Sequence, residues 1–329
     1  MTEIYISDVI HEDVLADIHT NAIVHVGYGP DKVNYLDVSE NIDAVILRGE
    51  TFTREMIEAS PILKIIARHG VGTDNVDIPA ASENGVWVTS TPGSNSNAVA
   101  EHVFALLLSL TRKIVPAANR VVAGTWAEGR GDLIGLELSG RTLGIVGFGA
   151  IGKRVAAIAR GFGMRVLAAD PVAKAADVAA AGADLVELDT LYDRADIITV
   201  HAPLLPATRH MISTRELALM KRTAIVINTS RGGLIDENAL VTALTDGTLA
   251  GAALDVLEAE SIDMKDPLPH NRVPLNEVPN LLVTSHIAGQ TQQAFQEAGT
   301  RSWSEVRAVL AGNTPAFPVN ANELRKVPA

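Results

Sequence analysis

Three glycines between an apolar run and a helical pattern constrain the fold of this chain more than any other feature of its sequence. Gly147, Gly149 and Gly152 follow the apolar residues 143–146 and precede a helical pattern at residues 153–162. A strand, a tight glycine turn and a helix in this order begin a βαβ unit, whose strands pair in parallel. The sequence therefore predicts an α/β protein with parallel sheets.

Short apolar runs alternate with helical stretches on both sides of this turn. Strands are predicted at residues 4–7, 23–26, 44–47, 63–67 and 86–89, and then at 143–146, 166–169, 196–201, 224–228, 252–256 and 281–284. Helical patterns include residues 53–59, 79–84, 97–122 and 290–311. Six strands in the second series is the number in a full doubly wound dinucleotide fold. These patterns leave open whether the tail at 313–319 ends the second series or returns to the first.

Composition limits the class of protein further. With 329 residues, 47% of them hydrophobic and 20% charged, the chain fits a globular protein of two domains. A net charge of −12 argues against nucleic acid as a partner, because phosphates would be repelled. The chain has no Cys and no apolar run long enough for a membrane helix, so we predict a cytoplasmic protein without membrane contact.

The glycine run fits a dinucleotide site. Gly147 allows the tight turn, Gly149 lets a pyrophosphate approach the backbone, and Gly152 lets the helix pack closely on the strand. Asp170 ends the next predicted strand, where a carboxylate accepts hydrogen bonds from the adenosine ribose and repels the 2′-phosphate of NADP. The predicted cofactor is therefore NAD. The alternative is a glycine-rich turn with an Asp that only caps a helix.

Several further segments resemble the D-isomer-specific 2-hydroxyacid dehydrogenase family. They read NTSRGGLIDE at 228–237, GAALDV at 251–256, TSHIAG at 284–289, HGVGTDNVD at 69–77 and VAEH at 99–102. The resemblance covers nearly the whole chain, and the motifs are specific in their combination and order. It implies an NAD-dependent oxidoreductase that moves a hydride between nicotinamide and C2 of a small anionic 2-hydroxy or 2-oxo acid.

The resemblance also implies how the domains are arranged. Two doubly wound parallel-sheet domains are expected, with a Rossmann NAD domain at residues 99–289 inserted into a flavodoxin-like substrate domain at 1–98 and 290–329. The family further implies a homodimer, built largely through residues 119–138. We expect no additional regulatory domain after the return segment.

Three residues receive catalytic roles from the resemblance. Arg231 would hold the substrate carboxylate with both arms of its guanidinium fork and polarise the C2 oxygen. His286 would exchange a proton with the C2 hydroxyl, and Glu260 would orient and stabilise its imidazole. Because Glu258 lies close by in the sequence, it is an alternative partner for the histidine.

Binding positions follow from the same matches. The positions implied for the cofactor are Gly147, Gly149, Ala150, Ile151, Gly152, Asp170, His201, Pro203, Thr208, Thr229, Asp255 and Gly289. Those implied for the substrate are Arg48, His69, Val71, Gly72 and Arg231. No metal site is predicted.

The sequence leaves the substrate, one segment and the class of protein open. Arg48 and Arg68 favour a phosphorylated substrate such as 3-phosphoglycerate, whereas Glu50, two residues from Arg48, favours a small uncharged tail, as in hydroxypyruvate or glyoxylate. Residues 261–280, which include His270 and Arg272, form either a lid or a solvated loop.

Two other classes of protein share the predicted fold. One is an NAD-binding corepressor. The other is a formate dehydrogenase, which would carry Gln where Glu260 stands.

Overall fold

A computed structural model describes residues 1–126, 130–264, 266–271, 273 and 275–324 of the chain. These residues divide into two compact units, one formed by residues 1–95 and 290–324 and the other by the described residues between 96 and 289. Each unit is built around one parallel β-sheet. No helix in the described part of the chain is both long enough and apolar enough to cross a membrane.

The described residues form twelve strands and twelve α-helices. The strands are β1 Glu3–Ile6, β2 Ile23–Val26, β3 Ala44–Leu47, β4 Ile65–Arg68, β5 Trp87–Thr89, β6 Thr142–Val146, β7 Arg165–Ala169, β8 Asp184–Leu185, β9 Ile197–Val200, β10 Ile225–Asn228, β11 Gly251–Leu254 and β12 Leu281–Val283. The helices are α1 Glu12–Asn21, α2 Arg54–Glu58, α3 Ile78–Glu83, α4 Ser96–Thr111, α5 Ile114–Val122, α6 Ala150–Gly161, α7 Ala175–Ala180, α8 Leu188–Arg194, α9 Thr214–Leu219, α10 Glu237–Thr245, α11 Gln292–Leu310 and α12 Ala321–Leu324.

The first unit has a five-stranded sheet in the order β2-β1-β3-β4-β5. All pairs are parallel, and the central strand β3 is buried at every position, as expected for a strand with helices on both faces. This order is the flavodoxin-like one. The predicted class of the first sheet is therefore confirmed.

The C-terminal segment packs onto this five-stranded unit. Helix α11 begins at the cap Thr291, whose side chain accepts a hydrogen bond from the N–H of Ala294, and it buries Trp303 and Val306 against the sheet. After the helix, the N–H of Val319 donates to the carbonyl of Val88 at 2.7 Å. The tail that the sequence patterns left unassigned thus extends the edge of the first sheet.

The second unit has a seven-stranded parallel sheet in the order β12-β11-β10-β9-β6-β7-β8. The strand order reverses between β6 and β9, which makes this pair the switch point where doubly wound sheets bind ligands. The predicted Rossmann class is confirmed, with one strand more than predicted. Strand β8 has only two residues, both exposed, and therefore no apolar run to reveal it.

One predicted helix is wrong in its extent. The apolar periodicity predicts a single helix over residues 97–122, but α4 ends at Thr111 and α5 begins at Ile114. Lys113 between them has φ +55°, which no α-helix continues. Pro116 explains the break, because proline lacks the N–H that a helix interior requires and is tolerated only in a first turn.

Candidate active site

Residues predicted to bind the cofactor gather at one edge of the seven-stranded sheet. Gly147 follows β6, Asp170 follows β7, His201 follows β9, Thr229 follows β10 and Asp255 follows β11. All five strands run in parallel, so their carboxyl ends lie at the same edge. The sheet topology alone therefore brings these residues together.

The glycine turn at this edge has no room for side chains at two of its positions. Gly147 has φ +90°, and a Cβ there would lie 2.7 Å from the carbonyl carbon of His201. A Cβ on Gly152 would lie 2.5 Å from the carbonyl oxygen of Gly147. A Cβ on Gly149, by contrast, would have no other atom within 4 Å. Gly149 is the N-cap residue of helix α6. The first N–H groups of α6, starting at Ala150, therefore suit a phosphate.

Asp170 is tied to this turn by its carboxylate. One oxygen accepts from the N–H of Phe148 at 2.7 Å, and the other accepts from the N–H groups of Val172 at 2.9 Å and Ala173 at 3.2 Å. The side chain thus joins the glycine turn to the loop after β7. A carboxylate has about four acceptor positions, so these bonds still leave capacity for a ribose hydroxyl.

Two buried polar atoms at the same edge have no hydrogen-bond partner among the described residues. They are Nδ1 of His201 and Oγ1 of Thr229. Buried polar atoms are nearly always hydrogen-bonded, so each of these atoms requires an explanation. Burial also lowers the pKa of His201 to about 3, which keeps its imidazole neutral. These two polar atoms lack partners and lie at the same sheet edge as the glycine turn. They therefore fit a site that binds a dinucleotide.

The loop after β9 is shaped by Thr208. Its hydroxyl donates to the carbonyl of Pro203 at 2.7 Å and accepts from the N–H of Leu205 at 2.8 Å. These contacts fold the loop back on itself. Contacts of Pro203 and Thr208 with the cofactor stay predictions.

His286 and Glu260 form a close pair. Nδ1 of His286 lies 2.8 Å from Oε2 of Glu260, and the other carboxylate oxygen accepts from the N–H of Leu257 at 3.0 Å. The side chain of Glu260 is 11% exposed and that of His286 is 41% exposed. The pair therefore has a sheltered carboxylate and an imidazole that solvent or a substrate can reach.

The alternative partner, Glu258, points elsewhere. Its Oε1 lies 2.5 Å from Nε2 of His210 and 3.3 Å from Nη2 of Arg209. Its N–H donates to the buried carboxylate of Glu237 at 2.7 Å. The structure thus pairs His286 with Glu260 and not with Glu258.

Arg231 occupies the loop directly after β10. Its Nη1 donates to the carbonyl of Ser230 at 2.8 Å, and its own carbonyl accepts from the side chain of Asn228 at 2.8 Å. The next residue, Gly232, packs against the backbone of Leu257, where a Cβ would lie 2.0 Å from the carbonyl carbon. This contact fixes the arginine loop against the loop that carries Glu260.

Asp255 anchors the histidine loop, a role that the sequence analysis missed. The carboxylate accepts from the N–H groups of Ile287 at 3.0 Å and Ala288 at 2.8 Å and from the Thr284 hydroxyl at 2.6 Å. Burial opposes ionisation of Asp255, but hydrogen bonds from His102, Thr284 and the two amides together hold its pKa below the ordinary value. Gly289 follows this loop and ends the second unit.

In the first unit, the predicted substrate residues are tied into local contacts. Nη1 of Arg48 lies 3.2 Å from Oδ2 of Asp8, and its guanidinium stacks over Phe295. The side chain of His69 is buried against Phe295. Burial and the charge of Arg48 lower the pKa of His69 to about 4. A role of these side chains in substrate binding stays a prediction.

The loop at residues 70–73 offers backbone N–H groups, rather than side chains, for binding a substrate. Val71 is exposed, and within the described ranges neither its N–H nor that of Gly72 donates a hydrogen bond to the protein. Arg68 is held beside this loop by the side chain of Asn75 at 3.1 Å and the carbonyl of His69 at 2.6 Å. The two amides therefore suit a carboxylate better than the tethered guanidinium does.

Described residues of the segment 261–280 pack on the core of the second unit. Val273 is buried, Leu275 and Val278 pack on the core, and Val273 also lines a cavity with Glu237 and Glu258. His270 is exposed, and Arg272 lies outside the described residues. Among the described residues, no cluster of three or more His, Asp or Glu side chains could hold a metal ion.

Comparison with known proteins identifies the chain's relatives. The family model for "D-isomer specific 2-hydroxyacid dehydrogenase, NAD binding domain" matches residues 104–288. The chain is 38% identical to a D-3-phosphoglycerate dehydrogenase of Methanocaldococcus jannaschii, over 97% of the chain but only 60% of that protein. It is also 38% identical to a glyoxylate reductase of Thermococcus litoralis, over 91% of the chain and 90% of that protein.

A solved structure shows the same architecture. The apo-structure of D-lactate dehydrogenase from Escherichia coli matches with a TM-score of 0.82 and 28% identity. The match covers 97% of this chain and all of that one. The chain thus matches about 90% of the length of the glyoxylate reductase. It spans only about 60% of the length of the D-3-phosphoglycerate dehydrogenase.

Proposed function

The chain belongs to the D-isomer specific 2-hydroxyacid dehydrogenase family, and we propose that it transfers a hydride between NAD and C2 of a small D-2-hydroxy or 2-oxo acid. The observation that carries this proposal is the His286–Glu260 pair, which lies 2.8 Å apart in the unit that holds the glycine turn. Reduction of a 2-oxo acid needs a proton at the C2 oxygen, and an imidazole paired with a carboxylate supplies one.

Each catalytic side chain has one task in this proposal. Because Nδ1 of His286 faces Glu260, Nε2 exchanges the proton with the C2 oxygen, and the carboxylate stabilises the imidazolium. Arg231 binds the substrate carboxylate with two parallel hydrogen bonds and polarises the C2 oxygen. Bound NAD would supply or accept the hydride.

Cofactor binding uses the residues already described at the carboxyl edge of the sheet. Gly147, Gly149 and Gly152 shape the pyrophosphate site, and Ala150 and Ile151 contribute backbone N–H groups at the start of α6. The unsatisfied atoms of His201 and Thr229 would face the nicotinamide half, together with Asp255 and the loop that ends at Gly289.

The substrate in this proposal is a small 2-oxo or 2-hydroxy acid, such as hydroxypyruvate, glyoxylate or 3-phosphoglycerate. Asp8 neutralises Arg48, and Glu50 adds a negative charge close in sequence, which favours an uncharged tail. Arg68 carries a positive charge that suits a phosphate, so a phosphorylated substrate is tested as well.

Steady-state oxidation of NADH with glyoxylate, hydroxypyruvate and 3-phosphohydroxypyruvate measures both the activity and the preference among these substrates. We expect turnover with at least one of these three acids.

Location in the cytoplasm stays a prediction from the sequence.

Asp170 is expected to select NAD over NADP. Changing Asp170 to Asn keeps an acceptor oxygen but removes the charge that repels the 2′-phosphate. Loss of a charge-assisted hydrogen bond costs about 1.5–3 kcal/mol, so the preference for NAD should fall about tenfold or more. The ratio of kcat/KM for NADH to that for NADPH measures this effect. Equal weakening of both cofactors would instead mean that Asp170 only supports the glycine turn.

We also propose a homodimer, from an apolar surface on the second unit. Helix α5 has no buried residue in the single chain. The exposed apolar side chains of this surface are Ile114, Val115, Val121, Val122, Trp126, Ile134 and Leu136. Large exposed apolar patches are rare on monomers, and a second copy of the same surface would cover these side chains. Residues 127–129 in this region lie outside the described residues.

A charge placed in this surface should separate the subunits. Val122 is 89% exposed in the single chain, and Val122→Glu would bury an unpaired carboxylate in the interface. Such a charge costs at least about 3 kcal/mol, or more than about 100-fold in the dimer dissociation constant. Sedimentation velocity measures the shift. Val172→Glu is the matched control, since Val172 is 87% exposed elsewhere on the same unit. An unchanged dimer in Val122→Glu would contradict this interface.

A further inference from the structure

The loop that carries His286 is held by one acidic residue through three consecutive amides. The N–H of His286 donates to the backbone carbonyl of Asp255 at 2.8 Å, and those of Ile287 and Ala288 donate to its carboxylate at 3.0 and 2.8 Å. His286 itself has φ +53°, a left-handed conformation that is unfavourable for a residue other than glycine. The Asp255 contacts therefore hold the backbone conformation from which the imidazole reaches Glu260.

The carboxylate of Asp255 is completely buried, so its contacts must compensate the loss of water. Besides the two amides, it accepts from the hydroxyl of Thr284 at 2.6 Å. Nε2 of His102 lies 3.2 Å from the same hydroxyl oxygen and 3.5 Å from Oδ1 of Asp255. Since Thr284 gives its proton to Asp255, its oxygen is an acceptor for an N–H of His102.

Helix α4 brings His102 to this position. The helix packs against β11, the strand that ends directly before Asp255. The side chain of His102 is 18% exposed, so its hydrogen bond is largely sheltered from water. A donor chain thus runs from His102 through Thr284 to the carboxylate that holds the His286 loop.

We propose that His102 is a positioning residue for His286, acting through Thr284 and Asp255. This inference rests on the proposed function, in which His286 exchanges the proton. His102 does not touch the substrate in this account. Its Nε2–H fixes the hydroxyl of Thr284 and the orientation of the Asp255 carboxylate, and that orientation sets the direction of the His286 imidazole.

Three substitutions at His102 test whether a donor at the Nε2 position is required. His102→Leu removes the donor, His102→Asn places an amide too short to reach, and His102→Gln places an NH2 group near the original Nε2. We expect kcat to fall at least tenfold in the Leu and Asn variants and to return to within threefold of the original in the Gln variant. The KM for the 2-oxo acid should change less than threefold in all of them. His19→Leu, the same change on the exposed face of α1, is the matched control and should leave kcat unchanged.

A second measurement does not depend on turnover. In NMR spectra of the chain without cofactor, the proton shared by Nδ1 of His286 and Glu260 should give one downfield signal. We expect that signal to be lost in His102→Leu and kept in His102→Gln. Thermal midpoints, measured in parallel, should not rank the variants in the same order as kcat.

Two outcomes would overturn the proposal. One is a His102→Leu variant that keeps both its kcat and the downfield signal. The other is an equal loss of kcat in the Leu and Gln variants that follows their thermal midpoints, which is the result for a purely structural residue. If the unmodified chain turned over no 2-oxo acid, the proposed function would fail, and the NMR comparison would still decide the positioning role.

Discussion

Replacement of His286 by Asn should slow both reduction and oxidation at least about 100-fold, the usual size of a general acid–base contribution. Asn is a smaller polar side chain that cannot exchange a proton near neutral pH. NADH binding should be retained, because His286 contacts Glu260 and is not part of the glycine turn proposed to bind the cofactor. Stopped-flow turnover and a fluorescence titration with NADH measure the two quantities separately. Loss of both together would mean that the histidine supports the fold of the cofactor site.

The pH dependence adds a direction to this prediction. Reduction consumes a proton and needs the imidazolium, so its rate should fall as the pH rises, whereas oxidation needs the neutral ring and should rise. Glu260→Gln removes the counter-charge of the imidazolium and should move the reduction profile to lower pH. Glu258→Gln is the matched control, because that carboxylate faces His210 and Arg209. A shift in the Glu258 variant alone would transfer the partner role to Glu258.

Arg231→Lys should lower kcat/KM for the 2-oxo acid at least about 100-fold, the loss expected when one transition-state hydrogen-bond donor is removed. Lysine keeps the charge but not the planar fork that binds a carboxylate through two bonds. The affinity for NAD should barely change. Parallel measurements of kcat/KM and of the NADH dissociation constant test this separation.

Arg209→Lys is the control for this substitution. Arg209 is more than half exposed and pairs with Glu258, so the same chemical change there should alter kcat/KM by less than threefold. A collapse of NADH binding in Arg231→Lys would contradict the assigned role. Arg231 would then be a residue that holds the loop after β10 in place.

The strands that the sequence revealed are those with a continuous buried apolar run. β3, β6 and β10 are buried at every position, so hydrophobicity alone located them within one or two residues. β8 was missed because both of its residues are exposed, so its pairing with β7 has no apolar run in the sequence to indicate it. The break between α4 and α5 was visible as Pro116, but the apolar periodicity on both sides masked it.

For the site, the sequence located residues at strand ends but could not show how they contact one another. Glu258 and Glu260 are two residues apart on a short 3-10 turn, so only the fold shows which one faces His286. The anchoring of the histidine loop by Asp255 depends on backbone amides, which leave no signature in side-chain identity. The positive φ of His286 likewise cannot be predicted from the sequence, because it depends on how the loop folds.

The most direct test of the central claim uses the stereochemistry of the reaction. The purified chain is incubated with NAD and, separately, with the D and L enantiomers of the same 2-hydroxy acids, glycerate and lactate among them, and NADH formation is followed. We expect NADH from at least one D enantiomer and none from its mirror image. Formation of NADH from the L enantiomer would contradict this expectation. So would the absence of turnover with every hydroxy and oxo acid while NAD still binds, a result that would favour a dinucleotide-binding scaffold protein.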